Sequence, residues 1–189
     1  MIDAFKSTTF SNHKRSKAPP DLYLAGKISH TCWRHNLIPN LRQSRWENGQ
    51  IVTDQFNYVG PFFVACDHGC YHGPTTHGAL GDGNGLCAEP LDDKALVIQR
   101  CQQAISKCNL LFAYIDAHQC YGTVAEIERA LILNKQVVIV FAPGIASAEK
   151  NEFWFVAARA AAVLFDVTET VLPIVFKLIL QLVAQGAIR

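Results

Sequence analysis

Residues 109–143 read NLLFAYIDAHQCYGTVAEIERALILNKQVVIVFAP, and this stretch decides the fold. The runs at 110–115 (LLFAYI) and 136–142 (QVVIVFA) carry no charge and have the length of strands. Neither alternates apolar with polar residues, so each belongs in a sheet covered on both faces. Residues 123–134 between them predict a helix. A strand, a helix and a second strand joined at this spacing form a βαβ unit with parallel strands.

Working outward, residues 21–28 (DLYLAGKI) predict the first strand, broken at Gly26, where a backbone can come close to a ligand. Trp33, Leu37, Leu41 and Arg45 follow at helical spacing and predict a helix within 30–46, kinked or split by Pro39. The aromatic and β-branched run 55–66 (QFNYVGPFFVAC) predicts a strand with a bend or bulge at Gly60-Pro61. Asp92-Asp93 suit a helix start, and Val97, Cys101, Ala104, Ile105 and Cys108 share one face of the helix that follows. Beyond 143 the pattern repeats more weakly, with a helix at 151–160, a short strand at 162–166 and a final helix at 168–187.

This alternation predicts an α/β fold: a single doubly wound, flavodoxin-like or Rossmann-like domain with a mostly parallel sheet. It spans 21–189, after a polar, flexible leader at 1–20. Ligands of such sheets bind beyond the carboxyl ends of the strands. That rule puts Gly26-Lys27, residues 116–123 and Pro143-Gly144 on one rim.

Composition narrows the function. The chain has 189 residues, half of them hydrophobic and 17% charged, which suits one globular domain. A net charge of +1 offers no global attraction for nucleic acid or an anionic membrane, so an anionic ligand has to be held locally. Seven cysteines, an odd number, and a polar start without a signal peptide suit a reducing, cytoplasmic setting. The apolar run 171–184 is interrupted by Pro173, Lys177 and Gln181 and predicts a buried or interfacial helix rather than a membrane span. Being apolar nearly all round, it points to a homo-oligomer.

The chemistry centres on residues 120–135, CYGTVAEIERALILNK. Gly122 permits a tight turn and Thr123 is a natural N-cap. Glu126 then falls in the first helical turn, where the helix dipole and free amides favour its charged form. An ionised carboxylate on a ligand-binding rim suits a nucleophile. Thr123-x-x-Glu126 equally matches a capping box, in which the glutamate only bonds back to the cap residue's amide.

Strand, Asp116, Gly-Thr-x-x-Glu, an Ile-x-x-Ala helix, Asn-Lys and an apolar strand ending in Pro, taken together and in order, resemble the nucleoside 2-deoxyribosyltransferase superfamily. The resemblance covers residues 109–143, and DLYLAGKI resembles the family's first strand. It implies cleavage of the N-glycosidic bond of a (deoxy)nucleoside or its monophosphate, with Glu126 attacking the anomeric carbon and a second base or water taking the sugar. This is the retaining route of glycosidases. It implies no cofactor and a small-molecule nucleoside or nucleotide as ligand. Family transferases often carry an acidic residue six positions before the glutamate, whereas relatives acting on nucleotides tend to have Ser. Cys120 departs from both and leaves nucleoside or nucleotide preference open. Lys27, Arg34 and His118 are candidate cations for a phosphate.

Residues 66–78, CDHGCYHGPTTHG, open a Gly-rich loop at 67–90 with six glycines, two prolines and three histidines. Cys66, His68, Cys70, His72 and His77 are metal-ligand types, but their spacing lacks a second Cys-x-x-Cys pair and no metal is expected. Asp67, directly after an apolar strand, or His68 is the expected acid/base for the departing base. Trp33, Phe62 and Tyr71 are candidates for stacking on it, and Trp154 and Phe155 for an interface. Alternatives on a similar motif are a phosphoribohydrolase, whose Pro-Gly-Gly is not matched by His118-Gln119-Cys120, and nicotinamide dinucleotide hydrolysis. A nucleotide-sensing module without turnover and a zinc-dependent binding module stand outside enzymology.

Overall fold

The computed structural model describes residues 19–28, 32–39, 41, 44–46, 48–61, 80–81 and 94–187. Its elements run β1 (Asp21–Ala25), α1 (Arg34–Leu37), β2 (Arg45–Trp46), β3 (Ile51–Val52), β4 (Asn57–Gly60), β5 (Leu80–Gly81), α2 (Lys94–Lys107) and β6 (Leu110–Ile115). They continue with α3 (Tyr121–Ile132), β7 (Gln136–Phe141), α4 (Ser147–Glu152), α5 (Trp154–Ala157), β8 (Ala162–Leu164) and α6 (Leu172–Ala184).

Six strands form one sheet in the order β3-β4-β1-β6-β7-β8. All neighbours are parallel except β3, which runs antiparallel to β4 at the edge. Counted in chain order, the five parallel strands stand 2-1-3-4-5, the flavodoxin-like arrangement. The order reverses between β1 and β6, so the crevice beyond their carboxyl ends is the switch point.

The registers assign the two faces. Tyr23 stands beside Leu111 and Leu24 beside Phe112, and residues paired in a parallel ladder point to the same side. Tyr23 meets α2 and α3, through Cys101 and Glu126. Phe112 meets α1 and α6 through Trp33, at 5.9 Å, and Phe176, at 5.0 Å between ring centroids. Helices therefore cover both faces, which is why every residue of β6 is buried. In α3 the inward stripe is Ile127, Ala130 and Leu131; in α6 it is Leu172, Phe176, Ile179 and Leu180. No helix among the described residues is long and apolar enough to cross a membrane.

Three expectations are corrected. The helix expected within 30–46 shrinks to α1, since Pro39 lacks an amide donor and its predecessor Ile38 is extended at φ −118°, ψ 97°. Further on, Arg45–Trp46 pairs in parallel with Leu80–Gly81, a small second sheet that borrows two residues from the expected Gly-rich loop. The helix expected at 151–160 is two short ones, α4 and α5, meeting at Phe153, whose buried ring packs on Phe141 at 5.2 Å.

Gly60 ends β4 beside the Tyr23 ring. A Cβ there would stand 2.6 Å from Cε2 of Tyr23 and 3.4 Å from Ala104. Gly60→Ala is therefore expected to destabilise by about 1–3 kcal/mol through overpacking, and the displaced ring is Tyr23. Thermal unfolding and the Tyr23 ring resonances would both report it.

Candidate functional site

Two loops and a helix start meet at the switch point. Gly26 and Lys27 follow β1, residues 116–120 follow β6, and α3 begins at Tyr121 beside them. Cys120 is the N-cap, and no side chain caps the helix. Thr123 is thus an interior, buried residue rather than the expected cap, and Glu126 lies beyond the first turn, which holds no acidic residue. The capping box is absent because the N-cap falls three residues earlier than expected, at Cys120.

Glu126 uses its carboxylate differently. Its Oε1 accepts a 2.5 Å hydrogen bond from the Tyr23 hydroxyl, 103 residues earlier in the chain. That length is typical of an O–H donor on a carboxylate. Burial pushes the Glu126 carboxyl up to about 7, against the opposing pull of the Tyr23 hydrogen bond and the Arg34 charge. The expectation that the helix dipole and free amides favour its charged form is therefore corrected. Desolvation dominates, and near neutral pH the group sits close to its midpoint. Tyr23 is completely buried, and burial and then the Glu126 charge raise its hydroxyl well above the ordinary value. It stays a phenol and a donor at any physiological pH.

Around this pair the expected residues separate into groups. Gly26 is buried with φ +148°, and Lys27 is exposed next to it. Asp116 reaches solvent at the end of β6; desolvation by neighbouring protein raises its carboxyl, while Arg34 and Lys27 draw it down. Cys120 is half-buried, and burial followed by the Asp116 charge pushes its thiol up to about 11. It is a neutral thiol. Gly122 is exposed and faces open space.

Trp33 is fully buried, its ring against Phe112 and Tyr114 at 5.9 and 5.4 Å, which makes it a core residue and not a stacking surface. Its Nε1 has no hydrogen-bond partner among the described residues. Arg34 is fully buried too, and its guanidinium is engaged by the backbone, so it is not the surface cation expected for a phosphate. His118 is exposed between Glu149 and Glu152, at 3.7 and 3.9 Å. Asp67, His68, Phe62 and Tyr71, with the ligand-type residues Cys66, Cys70, His72 and His77, lie outside the described residues. Among the described residues no group of three or more His, Cys, Asp or Glu is placed to hold a metal ion.

Tyr23 and the buried role of Arg34 are what sequence reasoning missed. A tyrosine between two leucines in a strand reads as core, and only the β1–β6 pairing brings its hydroxyl under α3. No protein-family model, curated protein or solved structure matches this chain.

Proposed function

We infer that the protein breaks or transfers at the N-glycosidic bond of a nucleoside or nucleoside monophosphate, with Glu126 as nucleophile. The observation that carries the reading is a partly covered glutamate at the switch point of a flavodoxin-like sheet, held by the Tyr23 hydroxyl, with burial pushing its carboxyl up to about 7. The motif resemblance at residues 109–143 supports the same role.

In this reading one carboxylate oxygen of Glu126 forms a bond to the anomeric carbon as the bond from that carbon to the base nitrogen breaks. The bonding pair leaves with the nitrogen, which takes a proton from an acid, Asp67 or His68. The resulting glycosyl ester is opened by water or by a second base, and the carboxylate is restored. Tyr23 holds the attacking group in one orientation and stabilises its charged form. Glu126 needs no cofactor for this step.

Tyr23→Phe removes the hydrogen bond that favours the carboxylate and so raises the Glu126 midpoint further. Base release at pH 7 is expected to fall about tenfold and to recover as pH rises. A profile that drops without shifting would separate Tyr23 from Glu126 ionisation.

The neutral thiol of Cys120 favours a second reading, a sensing module that binds a nucleotide at this rim without turnover, because it offers neither a carboxylate for a sugar hydroxyl nor a good phosphate donor. Incubation with nucleosides, nucleoside monophosphates and nicotinamide dinucleotide, followed by chromatography, decides between the two. Glu126-dependent release of free base supports the enzyme, while tight binding with no product supports the sensor. The reading also includes a cytoplasmic, homo-oligomeric protein. Its support is the thiol state of Cys32, Cys101, Cys108 and Cys120 and the exposed apolar residues Val171, Ile174, Leu178 and Leu182 of the last helix region.

A further inference from the structure

His118 stands in the loop at 116–120 that follows β6, and its ring lies between two carboxylates of α4. Nδ1 is 3.7 Å from Oε1 of Glu149, and Nε2 is 3.9 Å from Oε2 of Glu152. An ionised carboxylate only accepts hydrogen bonds, while a neutral imidazole carries one N–H and one lone pair. A neutral ring therefore serves one glutamate and turns a lone pair to the other. The imidazolium has two N–H donors and a positive charge, so it serves both.

Of the two elements that meet here, α4 is the anchored one. Oε2 of Glu149 accepts from the Ala146 amide at 3.0 Å, which leaves Oε1 turned to His118. Lys150 of the same helix bonds Asp166 at 2.7 Å, beyond the end of β8, and Phe153, where α4 ends, is buried on Phe141. The loop is the more open partner, with Asp116, His118 and Gln119 exposed. Glu149 and Glu152 are the charged groups that face the ring from α4, since Lys150 is turned to Asp166. Asp116 and Cys120 are the loop's other titratable groups, and α3, which the loop leads into, carries Glu126.

We propose that His118, Glu149 and Glu152 form a pH-sensitive clasp: the protonated ring ties the loop that carries Asp116 and Cys120 to α4, and loss of the proton releases it. Histidine is the side chain that changes charge between about pH 5 and 8. The β6 side of the switch point is thus fastened in acid and freed as pH rises. Exposed ion pairs are each worth about 1.5- to fivefold in a local equilibrium, so two pairs on one ring shift loop opening roughly three- to tenfold. The clasp does not rest on the reading of Glu126 as a nucleophile, and it is tested with neither ligand nor turnover.

The experiment is NMR hydrogen exchange of the amides at 117–120, expressed as protection relative to intrinsic exchange at each pH, for wild type, His118→Gln and Glu152→Gln at about pH 5.5 and about pH 8. Wild-type protection is expected to fall roughly three- to tenfold between the two. His118→Gln keeps Asp116, Cys120 and Glu126, so any response that belongs to those groups remains in it. Its protection is expected to stay near the wild-type level at the higher pH, changing by less than about 1.5-fold. Glu152 is the partner to remove, because Glu149 also holds the Ala146 amide. Glu152→Gln leaves one pair and is expected to retain a response of only about 1.5- to threefold. Wild type in 0.5 M NaCl is a variant-free check, since a Debye length of about 4 Å should cut its response below about twofold. Wild-type protection that ignores pH, or a full response that survives in His118→Gln, overturns the proposal. If His118→Gln does not fold, the other two measurements decide: a response reduced by salt and by Glu152→Gln supports the clasp, and a response that either leaves at full size overturns it.

Discussion

Glu126→Ala is expected to lower release of free base by at least about a thousandfold while leaving the fold intact, because removing a covalent nucleophile leaves only the acceleration supplied by binding and positioning. The side chain is partly covered rather than core, and the inward stripe of α3 is carried by Ile127, Ala130 and Leu131, so helix packing survives the change. The pH dependence sharpens the test. A nucleophile must be ionised, so wild-type base release is expected to rise with pH and level off above about 7. A profile that falls through the same point would make Glu126 a general acid. The same raised carboxyl has a stability consequence of known sign. Its proton is held more tightly in the folded chain, so its contribution is fully present below the ordinary glutamate value and is lost as pH rises through about 7. Glu126→Gln is accordingly expected to gain on wild type between pH 4.5 and 8, on the order of 2 kcal/mol after partial solvent access is allowed for. Denaturant midpoints at the two pH values measure it, and a constant difference would contradict the burial of this carboxyl.

The parts of the fold legible in the sequence are those whose signal is local. β6, α3 and β7 were readable because uninterrupted apolar runs have few other fates, and the short turn to α3 forces a parallel return. The start of α3 was misjudged because Thr123-x-x-Glu126 satisfies a capping pattern that the chain does not use. What begins the helix is the backbone at Cys120, which has no side-chain signature. β3 and β5 are two residues each and carry no periodicity at all. Around the switch point, the places of Glu126 in a helix after β6 and of Gly26 at the end of β1 were legible from spacing and strand ends. Tyr23 and Arg34 were not, since their partners are defined by pairing across the sheet and by carbonyls that every residue possesses. Trp33 failed as a stacking candidate for the same reason: spacing put it near the rim, but only the position of α1 turns its ring onto Phe112 and Tyr114.

The second large effect is expected at Gly26, where fold and site share one atom's worth of space. Gly26 leaves β1 at φ +148°, a conformation that is essentially closed to residues with a side chain and costs them about 1–3 kcal/mol. A Cβ at this position would also stand 2.7 Å from the Tyr114 carbonyl oxygen and 3.0 Å from Nε1 of Trp33. The first neighbour is backbone of β6 and the second is a fully buried indole, so neither can yield cheaply. Strain and clash together predict that Gly26→Ala destabilises by roughly 3–5 kcal/mol, a fall in Tm of about 6–20 °C for a chain of this size. Gly122→Ala is the matched control, because Gly122 lies in α3 and a Cβ there meets nothing within 4 Å. It is expected to be neutral or stabilising by up to about 1 kcal/mol. The contrast carries functional meaning, since β1 and β6 can close the switch point only while Gly26 lets their ends approach. If Gly26→Ala proved as stable as wild type, the ends of β1 and β6 would not be this close, and Gly26-Lys27 would not share a rim with Asp116.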